Sequence, residues 1–392
     1  MGHHSEGKNS IVPLIDRLNR YPVGLPDSDT LRQILSLLFS EEEAFIASRF
    51  PLTEATLGEL AKATDWPEER LELRLEAMAE KGLVFDSEYG GSRYYVLMPG
   101  LIGFFEFTFM KQRQDLPVKE LAKLMEEYLY GDPERKMGRE FFGSKTPLTR
   151  SLVYEEHIPV SSRVMTYERA SEIIRNSEYG AVGMCYCRHK NEHLGKSCEK
   201  QAPVDGICIS LGSAAKFMVR RGFAEKSSKE ELLAILARAR ELNLTHVTDN
   251  IRHKPSFICN CCSCCCELLG GVQQGFYAGV AKTGFTLAVD SQSCCGCTLC
   301  AKACNVGALQ MAGDRGKESG AKAAADPARC LGCGACIAVC PTGSLVLQPY
   351  KRIDPPEKKK DLFKQILREK KRLGPYVFAT IKTILMRKLK MN

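Results

Sequence analysis

The 392-residue chain has 19 cysteines, none before Cys185 and none after Cys340. An odd number of thiols, packed into runs such as CNCCSCCC (259–266), argues against a disulfide framework, because neighbouring cysteines cannot easily cross-link one another. Thiols at this density point to metal, and a reducing compartment keeps them free to ligate it. The opening residues MGHHSEGKNSIVPLIDRL hold no continuous apolar stretch of the secretory kind, so the expected location is cytoplasmic. The apolar stretches at 101–110 and 373–386 fall short of the roughly 20 residues that span a bilayer.

Hydrophobic residues make up 44% of the chain and charged residues 26%, which excludes a wholly disordered chain. The net charge of +8 is unevenly spread. Residues 351–392 hold 14 Lys/Arg against 4 acids, so the rest of the chain is slightly acidic. Residues 376–391 place Val377, Phe378, Ile381, Ile384, Leu385 and Leu389 near one helical face, with Lys382, Arg387, Lys388 and Lys390 mostly off it. Such a helix suits either an anionic membrane surface, which would make the protein peripheral on the inner face, or an acidic protein surface.

Residues 31–98 predict helices followed by a hairpin. Leu31, Ile34, Leu35, Leu38 and Phe39 recur at helical spacing. Thr56 is placed to cap the next helix, and Asp65 the one after it, with Pro67 in its first turn. VFDSEYGGSRYYVL then reads as two strands around a Gly-Gly turn. This order resembles a winged-helix domain of the MarR-like kind, and the resemblance implies DNA binding through the second helix. The charges oppose that. Residues 54–93 hold 10 acids and 5 bases, whereas phosphate binding needs the reverse, so DNA is not the expected partner.

The most specific motif is Cys330-x2-Cys333-x2-Cys336-x3-Cys340-Pro341. Cys294, Cys297, Cys300 and Cys304 repeat the spacing, with Asn305 in place of the proline and an additional Cys295. Gly296, Gly332 and Gly334 let backbone amides approach the sulfurs. Zinc is the competing metal for C-x2-C pairs, but two complete four-cysteine runs favour iron–sulfur. The stretch resembles the two-cluster [4Fe–4S] ferredoxins. That resemblance implies crossed ligand sets: Cys294, Cys297, Cys300 and Cys340 for one cluster, and Cys330, Cys333, Cys336 and Cys304 for the other. The segment between the runs is expected to be an exposed hairpin or flexible loop.

Ten thiols remain: Cys185, Cys187, Cys198, Cys208, Cys259, Cys261, Cys262, Cys264, Cys265 and Cys266. All-thiolate ligation favours iron–sulfur, with zinc as the alternative, and ten thiols suffice for one or two further clusters or for one cluster plus a reactive thiol group. Arg188 either offsets cluster charge or lies in solvent. His246 reads as a satisfied buried histidine, and His189 and His193 as surface residues. Asn260 and Ser263 are candidate donors to sulfur. The pattern CxCR…CNCCxCCC resembles an uncharacterised iron–sulfur family of anaerobic microbes, in which such a domain precedes a dicluster ferredoxin.

The expected fold is α+β and multidomain. A winged-helix-like domain (1–110) and a helical connector (111–165) precede a cysteine-rich α/β metal-binding domain (166–280). A bacterial dicluster ferredoxin-like domain (285–350) and a basic amphipathic tail (351–392) follow. The expected function is iron–sulfur electron transfer to or from a redox partner protein or a membrane partner. The alternatives are a redox-sensing winged-helix transcription regulator and an oxidoreductase with an active cluster in the middle domain. No nucleotide-binding fingerprint competes with these readings.

Overall fold

The computed structural model describes residues 7–158, 165–313, 320–351 and 354–388. Its N-terminal part runs α1 (Gly7–Leu18), α2 (Asp29–Leu38), α3 (Glu41–Arg49), β1 (Ala55–Thr56), α4 (Leu57–Thr64), α5 (Glu68–Glu80), β2 (Val84–Tyr89) and β3 (Ser92–Leu97). The strands form one sheet in the order β1-β3-β2. Reciprocal capping boxes start α3 (Ser40 with Glu43) and α4 (Thr56 with Glu59), satisfying amides that a helix start leaves free. Asp65 does not cap α5. It ends α4 in the left-handed conformation, and Pro67 occupies the N-cap of α5 without a side-chain bond. Proline pre-sets the backbone angle there, so the helix starts without an acceptor.

Helices α6 (Phe105–Thr108), α7 (Val118–Glu126) and α8 (Lys136–Phe142) follow. The apolar stretch at 101–110 is internal: Phe104, Phe105 and Phe109 are buried in the N-terminal core, and Phe107 packs on Phe217 and Phe223.

The thiols of the middle domain hang on a seven-stranded sheet. Its strands are β4 (Thr149–Ser151), β5 (Gly180–Gly183), β6 (Cys208–Leu211), β7 (Ala224–Lys226), β8 (Thr245–Asp249), β9 (Phe257–Cys261) and β10 (Val280–Ala281). They lie in the order β10-β4-β8-β9-β6-β5-β7, antiparallel except for β10 with β4. The sheet therefore draws β4 from the segment expected to be connector. Between the strands lie α9 (Ala170–Arg175), α10 (Tyr186–His193), α11 (Gly212–Arg220), α12 (Lys229–Glu241) and α13 (Glu267–Gln273).

The C-terminal part holds β11 (Phe285–Val289), α14 (Leu299–Ala303), β12 (Leu309–Ala312), β13 (Lys322–Ala325), β14 (Leu345–Pro349), α15 (Lys359–Glu369) and α16 (Leu373–Lys388). Strand β11 pairs with β14, and β12 with β13. Helix α15 buries Leu362 and Ile366 against Ile251, and Lys370 and Arg372 both bond the Glu140 carboxylate. The start of the tail thus docks on the protein's own surface. On α16, Val377, Phe378, Ile381 and Leu385 are exposed; the side chains of Lys382, Ile384, Arg387, Lys388, Leu389 and Lys390 lie outside the described residues. Among the described residues no helix is long and apolar enough to cross a membrane.

The β2–β3 hairpin packs on the middle domain. Phe85 packs in a tilted arrangement on Phe217 of α11, with ring centroids 4.7 Å apart. Beside it the buried Asp86 carboxylate meets Arg93 at 2.8 Å, Arg220 at 2.9 Å and Arg221 at 3.0 Å, and Arg221 also reaches Glu76 on α5 at 2.6 Å. Burial alone would raise the Asp86 pKa, but bonds from Arg221, Arg93 and Arg220 outweigh it and hold the carboxyl below its ordinary value. A depressed acid stabilises the fold fully above its unfolded pKa and loses that contribution as pH falls through the folded value. Docking is therefore expected to persist at neutral and mildly acidic pH. Asp86→Asn should cost about 3 kcal/mol, because it leaves clustered guanidinium groups without their shared anion. Anaerobic urea unfolding at neutral pH measures this, and an unchanged midpoint would deny the network any role.

Candidate metal centres

Each ferredoxin run begins in a loop whose backbone is shaped around its sulfurs. Gly332 has φ +68°, and a Cβ there would sit 2.1 Å from the Phe285 carbonyl oxygen. Gly296 has φ +71°, and its Cβ would meet the Ala321 oxygen at 2.3 Å. Only glycine fits both the angle and the space. The amide of Ala308 donates to Cys304 Sγ at 3.2 Å, and that of Ala323 to Cys294 Sγ at 3.5 Å. Cys340 Sγ lies 3.3 Å from the Ser344 hydroxyl. Donors aimed at sulfur favour the thiolate, the form that binds iron. Ala323 belongs to β13, so this strand of the insert packs on the Cys294 sulfur, which sequence spacing does not reveal.

The eight thiols sort into two neighbourhoods. Cys304, Cys330, Cys333 and Cys336 line one pocket with Thr245, Asn305 and Leu347. Cys300 lies near Cys297, Cys340 and Cys294 instead. The fourth cysteine of each run thus lies with the first three of the other. Cys295 is exposed.

Asn305, which stands where the second run has proline, is buried. Its amide donates to the Asn243 carbonyl at 2.7 Å and to Thr245 Oγ1 at 3.0 Å. Thr245 Oγ1 in turn lies 3.8 Å from Cys333 Sγ, and the Tyr154 amide donates to the Cys333 carbonyl. Proline has no such donors, so the departure from the ferredoxin pattern adds a tie between this module and the middle domain.

The ten remaining thiols also separate. On β9, Cys259 and Cys261 are two residues apart and face the same side. Together with Cys185 and Cys187 at the start of α10, Cys208 on β6 and Cys266 at the N-cap of α13, they line a second pocket. Within this chamber the thiols neighbour one another in the order 185, 187, 266, 261, 259, 208. Cys262 and Cys265, on the turn after β9, border the same pocket and also belong to a tighter group. Cys262, Cys264 and Cys265 meet Cys198, and these four Sγ atoms all lie within 4.8 Å of one another.

Arg188 separates the two groups. It is 2% exposed, and its guanidinium donates to the Asn260 carbonyl at 2.8 Å. Burial opposes its charge, but thiolate charge at Cys185, Cys262 and Cys198 outweighs burial and holds its pKa above the ordinary value. The solvated reading of Arg188 is thereby overturned. Lys200 bridges the other side, donating to the Asn243 and Ala303 carbonyls while facing Cys262, Cys304, Cys264 and Cys333; burial lowers its pKa.

His189 is buried, not at the surface. Its Nδ1 lies 2.8 Å from the Phe109 carbonyl, because α10 packs under the phenylalanine-rich segment. His246 is buried and held near pKa 4 by burial, with Nδ1 2.6 Å from Asn260 Oδ1. The Asn260 amide donates to the Ile207 carbonyl, so it braces the chamber wall instead of donating to sulfur. Behind the chamber, Lys190 pairs with Glu126 at 2.6 Å and Glu267 at 2.5 Å, fixing α10 against α13. Glu106, which interacts with the chamber residue Tyr186, is pushed up to about 7 by burial despite donors at Ile102 and Gly103.

Residues 293–344 match the family model of the 4Fe-4S dicluster domain. This is an iron–sulfur protein. Comparison with curated proteins and with solved structures found no match. The convergent thiols and the amides aimed at them fit 4Fe–4S cluster binding.

Proposed function

We propose that the protein passes low-potential electrons to or from a redox enzyme or membrane partner. In this reading the ferredoxin module holds two [4Fe–4S] clusters, one on Cys294, Cys297, Cys300 and Cys340, the other on Cys304, Cys330, Cys333 and Cys336. The observation that carries it is the sorting of the two runs into crossed neighbourhoods. When bound, each cluster supplies reversible one-electron chemistry at a potential that hydrogen bonds and exposure tune. The protein's own residues fix the order of the sites. Cys336 lies near Cys300, linking the two ferredoxin sets. Thr245, Asn305 and Lys200 join the second set to the middle domain, and Arg188 joins the four close thiols to the six-thiol chamber.

We read residues 41–97 as a winged-helix module that serves docking. The helix–strand–helix–helix–hairpin order supports this, and its hairpin is engaged by α11. On α5, Arg70 and Arg74 are both paired with Glu42, which leaves that helix poor in cations for phosphate. The regulator reading loses ground accordingly. A second reading, an oxidoreductase, draws support from the thiol-lined chamber beside Tyr186 and Glu106. The test of the main reading is the dithionite-reduced protein, prepared anaerobically. Its EPR spectrum should show two interacting [4Fe–4S] centres, and a preparation that carries only zinc would sink the proposal.

A further inference from the structure

The four close thiols differ in size from every other thiol group in the protein. Cys198 Sγ lies 3.7 Å from Cys264 Sγ, and Cys264 Sγ lies 3.7 Å from Cys265 Sγ. A single tetrahedral ion with metal–sulfur bonds of about 2.3 Å sets its ligand sulfurs about 3.8 Å apart, since a tetrahedron's edge is about 1.63 times its centre-to-corner distance. A cubane puts each thiolate on a different iron and spreads the four sulfurs further. The ferredoxin sets provide the comparison within the same molecule. Among the described residues, the group whose ligand atoms all fall within 4.8 Å is Cys198, Cys262, Cys264 and Cys265, and neither ferredoxin set is so close.

The surroundings call for charge on these sulfurs. Arg188 is buried, its partners are the carbonyls of Asn260 and Pro203, and its Nε has no hydrogen-bond partner. Lys200 likewise bonds only carbonyls among the described residues. A buried cation is normally paired; neutral thiols would leave the buried Arg188 and the half-buried Lys200 without an anion. Four thiolates around one divalent ion carry a net charge of −2, which the two cations offset.

We propose that Cys198, Cys262, Cys264 and Cys265 bind one tetrahedral divalent ion, zinc or iron(II), without sulfide. The site is distinct from the clusters of the ferredoxin module and adjoins the six-thiol chamber, whose wall Cys262 and Cys265 share. Its ligands close the turn between β9 and α13 onto the loop after α10, and so hold the wall that separates the chamber from the ferredoxin module.

The experiment compares full-length protein with Cys198→Ser and Cys264→Ser, all prepared anaerobically, for zinc, iron and acid-labile sulfide. Each variant should lose about one metal ion per chain with sulfide unchanged, and the reduced ferredoxin spectrum should persist. Zinc content against an oxidised high-spin ferric signal identifies the ion. Loss of sulfide together with several irons would overturn the proposal, as would unchanged metal content. Should the variants fail to fold, wild-type protein produced with cobalt provides the answer. It should show the visible absorption of a tetrahedral cobalt tetrathiolate, and absence of those bands overturns the assignment. A failed electron-transfer reading would instead appear in the ferredoxin spectrum and leave this metal count intact.

Discussion

Cys333→Ala is expected to remove one of two interacting [4Fe–4S] signals and about four irons per chain, the content of one cubane. The backbone at this position is held independently of the sulfur. The Cys333 carbonyl accepts from the Tyr154 amide, and Gly332 and Gly334 shape the turn on either side. Alanine therefore removes a ligand while the loop stays in place. The remaining sulfurs of the pocket, Cys304, Cys330 and Cys336, come from both cysteine runs. With the crossed assignment, the set of Cys294, Cys297, Cys300 and Cys340 should survive as a magnetically isolated centre. Its reduced spectrum should lose the broadening that a second paramagnet imposes. Cys295→Ala is the control, since that thiol is exposed and outside both sets, and it should change neither iron nor spectrum. Persistence of both signals in Cys333→Ala would refute the assignment. Loss of both centres in the Cys304→Ala/Cys333→Ala double variant would show that the sets are not crossed.

What the sequence discloses about these centres follows the range of the interactions involved. The ferredoxin runs are legible because C-x2-C-x2-C-x3-C places three thiols within one short stretch. The cap at Thr56 is legible for the same reason, being a contact three residues long. The ten middle thiols are not sortable by spacing. Cys261 and Cys262 are adjacent, yet one belongs to the chamber and the other to the four close thiols. The strand ends at that point, and β9 has to be placed between β8 and β6 before either destination exists. Arg188 and His189 read as polar helix residues, and only the packing of α10 beneath Phe109 and beside Asn260 buries them. Asn305 looks like a lapse in the ferredoxin pattern until Asn243 and Thr245, some sixty residues earlier, come into contact with it.

Cys261→Ala should abolish iron–sulfur binding in the six-thiol chamber while sparing the ferredoxin centres and the four close thiols. Cys261 is buried on β9 opposite Thr245 in β8, and its sulfur has Cys259 on one side and Cys266 on the other. It is thus in the middle of the series of six. Apolar packing does not explain the chamber, because a free buried cysteine behaves as a small hydrophobe and needs no second thiol beside it. Here six converge from the start of α10, from β6, from β9 and from the start of α13. The same wall carries Arg188, whose charge is answered by sulfur and backbone carbonyls, whereas Lys190 on the outer side has two carboxylates. Arg188 thus faces sulfur of both groups, and six thiols exceed what one tetrahedral ion can take. Wild-type protein should contain iron beyond the about eight atoms of two cubanes, and Cys261→Ala should return it to that number with a parallel fall in sulfide. Because Cys262 belongs to the four close thiols, the single metal ion assigned to Cys198, Cys262, Cys264 and Cys265 should remain. A wild-type iron content of about eight or fewer per chain would leave the chamber without a cluster and the ferredoxin module as the protein's only iron–sulfur site.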